Sequence, residues 1–331
     1  MEYKLLSEVS VYRKDRIGSD KVNKGNYIST ENMLSNRGGV ENATTVASAK
    51  TFPAYKKGDI LLSNIRPYFK KIWYATQEGG CSNDVLVVKA GKTVDSKFLY
   101  YVLSDNNFFN YSTVTSKGTK MPRGSKNAIM KYWVPNLDLP TQKKIADILS
   151  SYDKLIKANN ERIELLEQTA QELYKEWFVR FRFPGYENAK FEDGIPEGWE
   201  RNKIQKYYNT CSGGTPSRSK PEYFENGVYP WVKTGEIKDC VIIDTEESIT
   251  QEAVNSSSAK VLSAKSVAMA MYGVNIGLLA YFDSEMTCNQ ACCVFSDKRG
   301  FSSKHYLYYY LKSIREYLLL ISFGAAQQNL S

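Results

Sequence analysis

The stretch PTQKKIADILSSYDKLIKANNERIELLEQTAQELYKEWF (residues 140–178) decides how the chain is organised. Pro140 suits the first turn of a helix, and neither glycine nor proline occurs again until Pro184. Apolar residues recur at Ile145, Ile148, Tyr152, Leu155 and Ile156, then at Ile163, Leu166, Ala170, Leu173 and Trp177. Tyr152, Asn159, Leu166 and Leu173 fall seven apart, the a-type row of a coiled-coil seam, where Asn159 would fix register at some cost in stability. Lys154, Lys157, Glu161, Glu164 and Glu167 make the opposite face polar. One helix over this stretch would span about 55 Å. Periodicity alone also fits a long core helix within a single domain.

Outward from the helix, the two flanks resemble each other. Tyr27-Ile-Ser-Thr aligns with Trp231-Val-Lys-Thr, GDILLSNIRPYFKKIWY (58–74) with KSVAMAMYGVNIGLLAY (265–281), and Cys81-Ser-Asn-Asp with Cys288-Asn-Gln-Ala. KFLYYVLSD (97–105) aligns with HYLYYYLKS (305–313), and YSTVTSKGTKMPRGS (111–125) with YLLLISFGAAQQNLS (317–331). The offset stays between 204 and 208, too long a period for a solenoid array, so the chain reads as two copies of one domain. The expected division is a first domain at 1–138, a helix at 139–180 and a second domain at 181–331. The first copy continues past Ser125 into the long helix, whereas the sequence ends at Ser331, so the second helix that the repeat predicts is not in it.

Composition bounds the chemistry. With 331 residues, 42% hydrophobic and 24% charged, the chain is ordinary globular protein of about two domains. The apolar-rich stretch 266–282 is interrupted by Gly273, Asn275 and Gly277 and is too short to span a membrane, and the N-terminus lacks a signal pattern. A cytoplasmic location is expected. Residues 1–138 carry 21 Lys/Arg against 12 Asp/Glu, a net +9, while residues 185–331 carry 15 against 17, a net −2. A basic first half points to a polyanion partner.

Six cysteines in so long a chain do not make a disulfide framework, and Cys288-x3-Cys292-Cys293 lacks zinc-site spacing, so buried thiols and no metal are expected. The single histidine, His305, excludes HExxH metal sites and would have to serve any Ser-His-Asp or Cys-His arrangement. Its setting, HYLYYYLKSIREYL (305–318), reads instead as an aromatic amphipathic helix with a half-buried structural histidine. There is no GxxxxGK[ST] loop, no GxGxxG after a strand and no Asn/Asp-Pro-Pro-aromatic motif. Glu236-Ile237-Lys238 mimics the end of a nuclease motif without its upstream aspartate. The residues describe a binder rather than a catalyst.

The run VPNLDLPTQKKIADILSSYDKLIKANNERIELLEQTAQELYKEWFVRFRFPGYE (134–187), followed by GIPEGWE (194–200), resembles the central region of specificity (S) subunits of type I restriction-modification enzymes. The Leu-Pro-x-Gln start, the Lys-Glu-Trp-Phe end and the Pro-Glu-Gly-Trp re-entry carry the likeness. Ser212-Gly-Gly-Thr-Pro-Ser217, Trp231-Val-Lys-Thr-Gly-Glu-Ile237 and Gly324-x-x-Gln327-x-x-x-Ser331 resemble segments of its target recognition domains. The resemblance implies an α+β fold: two homologous recognition domains of mixed or antiparallel β-sheet with helices, joined by a coiled-coil-type spacer helix. It implies a non-catalytic subunit that reads a bipartite double-stranded DNA target. It further implies docking of methyltransferase (modification) subunits, which use S-adenosylmethionine, and of a restriction/translocase subunit, which uses ATP and Mg²⁺; no cofactor is expected on this chain. Since the family pairs two spacer helices, the sequence reads either as a truncated form, even an assembly scaffold only, or as one whose missing helix comes from a second copy or a separate fragment.

Candidate DNA contacts follow from residue type. In the first half they are Asn64, Arg66, Lys70 and Lys71 on a turn between strands, and Lys117, Lys120, Arg123 and Lys126 in the loop SKGTKMPRGSK (116–126). Spaced cations among glycines suit phosphates, and Arg and Asn can reach base edges. In the second half they are Arg218, Lys220, Lys233, Tyr272, Asn275, Gln327 and Gln328, with amides suited to adenine. Any one lysine is equally readable as a solvated surface charge, and Gln327 as structural. The helix seam is expected at Ile145, Ile148, Tyr152, Leu155, Asn159, Leu166 and Leu173.

Overall fold

Ile60–Ser63 and Val85–Ala90 open with apolar residues at consecutive positions, 60–62 and 85–88, the pattern of strands covered on both faces. In the computed structural model, which describes residues 2–298, 304–322 and 330, they pair antiparallel with Leu61 opposite Val87. The first unit contains β1 (Ser10–Tyr12), β2 (Arg16–Gly18), β3 (Tyr27–Ile28), β4 (Thr51–Tyr55), β5 (Ile60–Ser63), β6 (Ile72–Tyr74), β7 (Gly79–Cys81) and β8 (Val85–Ala90). Helices α1 (Ser96–Ser104), α2 (Asn106–Val114) and α3 (Lys126–Ile129) follow. The central sheet runs β1-β8-β5-β6, and a second sheet runs β2-β4-β7-β3. Ile60, Leu62, Leu86 and Val88 face Phe98, Leu99 and Leu103 of α1, whereas Leu61, Val85 and Val87 face Ile28, Tyr55 and Cys81 of the second sheet. Helix layer, central sheet and small sheet thus share the two faces of β5 and β8.

The second unit repeats this arrangement with β9 (Tyr208–Ser212), β10 (Tyr229–Val232), β11 (Cys240–Ile242), β12 (Ser248–Ile249), β13 (Val267–Ala270), β14 (Leu279–Phe282), β15 (Thr287–Cys288) and β16 (Cys292–Asp297). Its central sheet is β9-β16-β13-β14-β11, covered by α5 (Lys304–Ser313) and α6 (Arg315–Leu320) on one face and by β12-β10-β15 on the other. The duplication is legible in single hydrogen bonds. Parallel pairing places Ile28 beside Cys81 and Val232 beside Cys288. Ala75 N–H donates to Asp59 O at 2.9 Å in one copy, and Phe282 N–H to Ser266 O at 3.0 Å in the other. The fold is α+β, as expected.

Helix α4 (Leu139–Tyr174) covers the predicted stretch, and Lys175–Val179 then winds as one π-helical turn. Contacts divide the chain within it, into Met1–Glu161 and Arg162–Ser331. In the first unit, Gln142 is buried and holds the helix start: its Nε2 donates to Leu137 O at 2.7 Å, and its Oε1 accepts from Asp95 N–H, also at 2.7 Å. Asp95 in turn caps α1 through Lys97 and Phe98 N–H. The Gln of the Leu-Pro-x-Gln motif is therefore a polar staple. In the second unit the attachment is aromatic. Trp199 of the Pro-Glu-Gly-Trp motif lies 5.7 Å from Phe178 of the Lys-Glu-Trp-Phe motif and stacks on Phe183 at 5.3 Å. Tyr174 packs at 5.8 Å from Tyr306.

Of the predicted seam, Ile145 packs against the first core, while Ile148, Tyr152, Leu155, Asn159, Leu166 and Leu173 are exposed. All six cysteines are free thiols, Cys81, Cys288 and Cys292 being buried. Among the described residues no group of three His, Cys, Asp or Glu side chains could hold a metal, and no helix is long and apolar enough to cross a membrane. His305 is exposed rather than half-buried; it lies in the first turn of α5, with its ring 5.5 Å from that of Tyr281.

Candidate nucleic-acid interface

Two basic segments far apart in the first-half sequence are sewn together. β5 ends at Ser63, and the chain turns through Arg66 and Lys70, both in the left-handed region at φ 50° and 52°, around the single 3-10 turn Pro67–Phe69. The loop before α3 folds back onto this turn. Gly124 N–H donates to Asn64 O at 2.9 Å, and Arg66 N–H to Pro122 O at 2.8 Å. Lys117 and Arg123 exchange both backbone hydrogen bonds at 2.9 Å, closing a small hairpin in which Gly118 takes φ +97°. That hairpin presents Lys117, Lys120 and Arg123 to solvent, with Lys126 opening α3 behind them. Arg123 reaches Asp84 at 3.1 Å, an exposed pair worth at most about 1 kcal/mol. Beneath the hairpin, Asn64 Oδ1 and Arg66 Nε are buried without a partner among the described residues. Such groups carry a desolvation cost that a bound ligand or water would relieve.

The other two cations of this turn are already engaged. Lys70 Nζ donates to Asn106 Oδ1 at 2.9 Å, and Lys71 Nζ to Thr30 O at 2.6 Å. Burial pulls the Lys71 pKa down, the mark of an ammonium turned inward. Sequence cannot distinguish such a lysine from a solvated one.

The second unit keeps the scaffold and changes the chemistry. Leu330 N–H donates to Met271 O at 3.1 Å, the counterpart of the Gly124–Asn64 bond. Tyr272 Oη donates to Gln290 O at 3.1 Å, and Asn275 Nδ2 donates to Thr234 O and Ile237 O at 2.9 and 3.1 Å, so this amide braces the turn. Gly273 and Gly277 take φ +84° and +76°, leaving Val274 fully exposed at the tip. Arg218 stacks over Phe224 at 4.3 Å and pairs with Glu247 at 2.7 Å, its hydrogen bond holding the Glu247 carboxyl below the usual carboxylate range. Lys233 pairs with Glu246 at 2.7 Å, which raises its pKa, and Lys220 Nζ donates to Tyr223 Oη at 2.8 Å. Each predicted cation here is matched within its own domain. Gln327 and Gln328 lie outside the described residues.

Sequence reasoning missed a basic run, Arg13-Lys14-Asp15-Arg16, beside the first hairpin. Arg13 is buried in a bidentate pair with Asp59 at 2.5 and 2.9 Å and also binds Asp15 at 2.6 Å. Lys14 and Arg16 are exposed, and Arg16 is steadied by Thr51 Oγ1 and O, each at 2.9 Å. Four consecutive charged residues ending one strand and starting the next were the available signal.

A duplicated α+β domain with a long helix between its copies and a basic double loop on the first copy defines a paired recognition protein. The model of the type I restriction modification DNA specificity domain matches residues 2–168 and 196–331, and the chain belongs to that family. It is 29% identical over 247 residues to the MjaIX specificity subunit of Methanocaldococcus jannaschii, covering 71% of this chain and 54% of that protein. It is 25% identical to the HindI specificity subunit of Haemophilus influenzae, covering 84% of this chain and 75% of the other. The chain thus spans about half the length of the first relative. The S subunit structure from M. genitalium superposes with a TM-score of 0.57 at 14% identity, over 95% of this chain and 77% of that one, a likeness of fold.

Proposed function

We propose that this chain reads a bipartite DNA target, one half-site per domain, and docks the modification and restriction subunits that perform the chemistry. The observation that carries it is one turn repeated on two copies of one scaffold, cationic and bonded to the hairpin 117–123 in the first copy and uncharged at Tyr272–Asn275 in the second. Phosphate contacts position a protein and base-edge contacts specify, so unlike loops on like scaffolds suit unlike half-sites. On this reading the chain itself neither methylates nor cleaves. S-adenosylmethionine, ATP and Mg²⁺ act on the partner subunits, in the cytoplasm where the target DNA lies.

The helix face Ile148, Tyr152, Leu155, Leu166 and Leu173 is the assembly surface, and burying each Leu or Ile is worth about 1.5–3 kcal/mol. Its partner is a helix from a second copy, from a separately encoded fragment or from the modification subunits, with Asn159 setting register. Light scattering of the chain, alone and with an added helix, tests this. A monomer that ignores the helix contradicts it.

Titrating salt against binding to a random-sequence duplex tests the DNA reading. A steep log–log slope is expected from counterion release. A flat slope favours the rival reading, a subunit that serves only as an assembly scaffold.

A further inference from the structure

Both domains carry the same cleft, with different electrostatics. In the first it opens between the end of β1, β2 and the start of β8, with a volume of about 510 Å³, and is lined by Arg13, Lys14, Asp15, Arg16, Asn83 and Lys126. In the second it opens between β9 and the start of β16, with a volume of about 310 Å³, and is lined by Thr210, Cys211, Ser212, Tyr272, Gln290 and Cys293. Strand register makes them equivalent. Tyr12 lies opposite Val88 and Thr210 opposite Phe295, and Val88 and Phe295 occupy the same place in the repeat. Lys14 therefore stands where Ser212 stands, Arg13 where Cys211 stands, and Asn83 where Gln290 stands.

Charge separates the pair. Asp59 and Asp15 occupy Arg13, so the Asp15 carboxylate is turned to that guanidinium, leaving Lys14, Arg16 and Lys126 as the cations at the mouth. The second cleft has no ionic side chain among these lining residues; its polar groups are hydroxyls and the Gln290 amide, held by Thr215 Oγ1 at 2.5 Å. The first cleft adjoins the double loop, and the second adjoins the Tyr272–Asn275 turn. Lys126 ends the first loop, Asn83 precedes the Asp84 that binds Arg123, and Tyr272 bonds to Gln290 across the second cleft.

We infer that this cleft is a repeated DNA-strand subsite, neutralising backbone phosphates through Lys14, Arg16 and Lys126 in the first domain and contacting the strand without neutralising it in the second. The inference rests on the DNA-reading function proposed above and adds that the first domain carries the larger share of the salt dependence.

The experiment measures log Kd against log salt for the full chain on a random-sequence duplex, with thermal melts to confirm folding. Lys14→Ala with Arg16→Ala should lower the slope by about 1–2, at about 0.9 per phosphate contact, while Lys14→Arg should preserve it. Ser212→Lys, which places a cation in the uncharged copy, should raise the slope by about 0.9. A steep parent slope that neither the double variant nor Ser212→Lys alters overturns the cleft assignment and leaves the DNA reading standing. A flat parent slope overturns both.

Discussion

In the first domain the position at the end of β1 is Arg13, locked onto buried Asp59; in the second the same positions are Cys211 and Ser266. One backbone thus tolerates an ion pair or a thiol and a hydroxyl at the same depth. The sheet hydrogen bonds around them are the same, Ala75 to Asp59 and Phe282 to Ser266, so the scaffold does not depend on which pair fills it. What differs is the balance of charge next to the double loop. Recognition domains built on a common frame can diverge in the residues at strand ends while the buried faces of β5, β8, β13 and β16 stay apolar.

The largest effect should come from breaking that pair on one side only. Asp59→Ala leaves the Arg13 guanidinium only the exposed Asp15 as a partner and should cost the first domain about 3 kcal/mol, whereas Ser266→Ala should cost the second under about 1 kcal/mol. Urea melts of each variant give both numbers. Importing the second domain's pair, Arg13→Cys with Asp59→Ser, should recover most of the loss, because no buried charge is then left unpaired and Asp15 is exposed.

Next comes the attachment of α4. Gln142→Ala removes the acceptor for Asp95 N–H and the donor to Leu137 O, with an expected loss of about 2–3 kcal/mol confined to the first unit. Hydrogen exchange should quicken at Phe98–Leu103 and stay unchanged at Leu307–Leu311. Equal acceleration in both would mean that the polar staple and the aromatic clasp are not independent.

A smaller effect is pH-dependent. Burial raises the Asp239 pKa, but hydrogen bonds from Arg315, at 2.5 and 2.9 Å, and from Leu279 N–H outweigh it, so the folded value lies below the ordinary one. A depressed carboxylate stabilises the fold above its unfolded pKa, about 3.9, and that contribution is lost as pH falls through the folded value. Acid titration below pH 4 should destabilise the second unit less in Asp239→Asn than in the parent, since the variant has already lost the pair. Identical acid curves would remove Asp239 from the account.

The sequence made the repeat and the helix legible because both are periodic: a seven-residue row through Tyr152, Asn159, Leu166 and Leu173, and matched blocks some 207 residues apart. The basic loop 116–126 was legible from composition. Its union with Asn64 and Arg66 was not, because backbone bonds between segments about 60 residues apart leave no local pattern. Nor could sequence tell engaged cations from open ones: Lys71 turns to Thr30 O, and Arg218 and Lys233 meet glutamates about 13–30 residues onward. Lys14 and Arg16 went unnoticed since a short charged run usually marks a solvated turn, and only strand register shows it facing the equivalent of the Ser212 cleft.

The central claim is that the two domains read unlike half-sites, and selecting bound duplexes from a random pool tests it most directly. The parent chain should enrich two different short motifs at one fixed spacing. The quadruple variant Lys117→Ala, Lys120→Ala, Arg123→Ala, Lys126→Ala should lose the first motif and keep the second. A single repeated motif, or loss of both motifs together in a folded variant, would contradict the account.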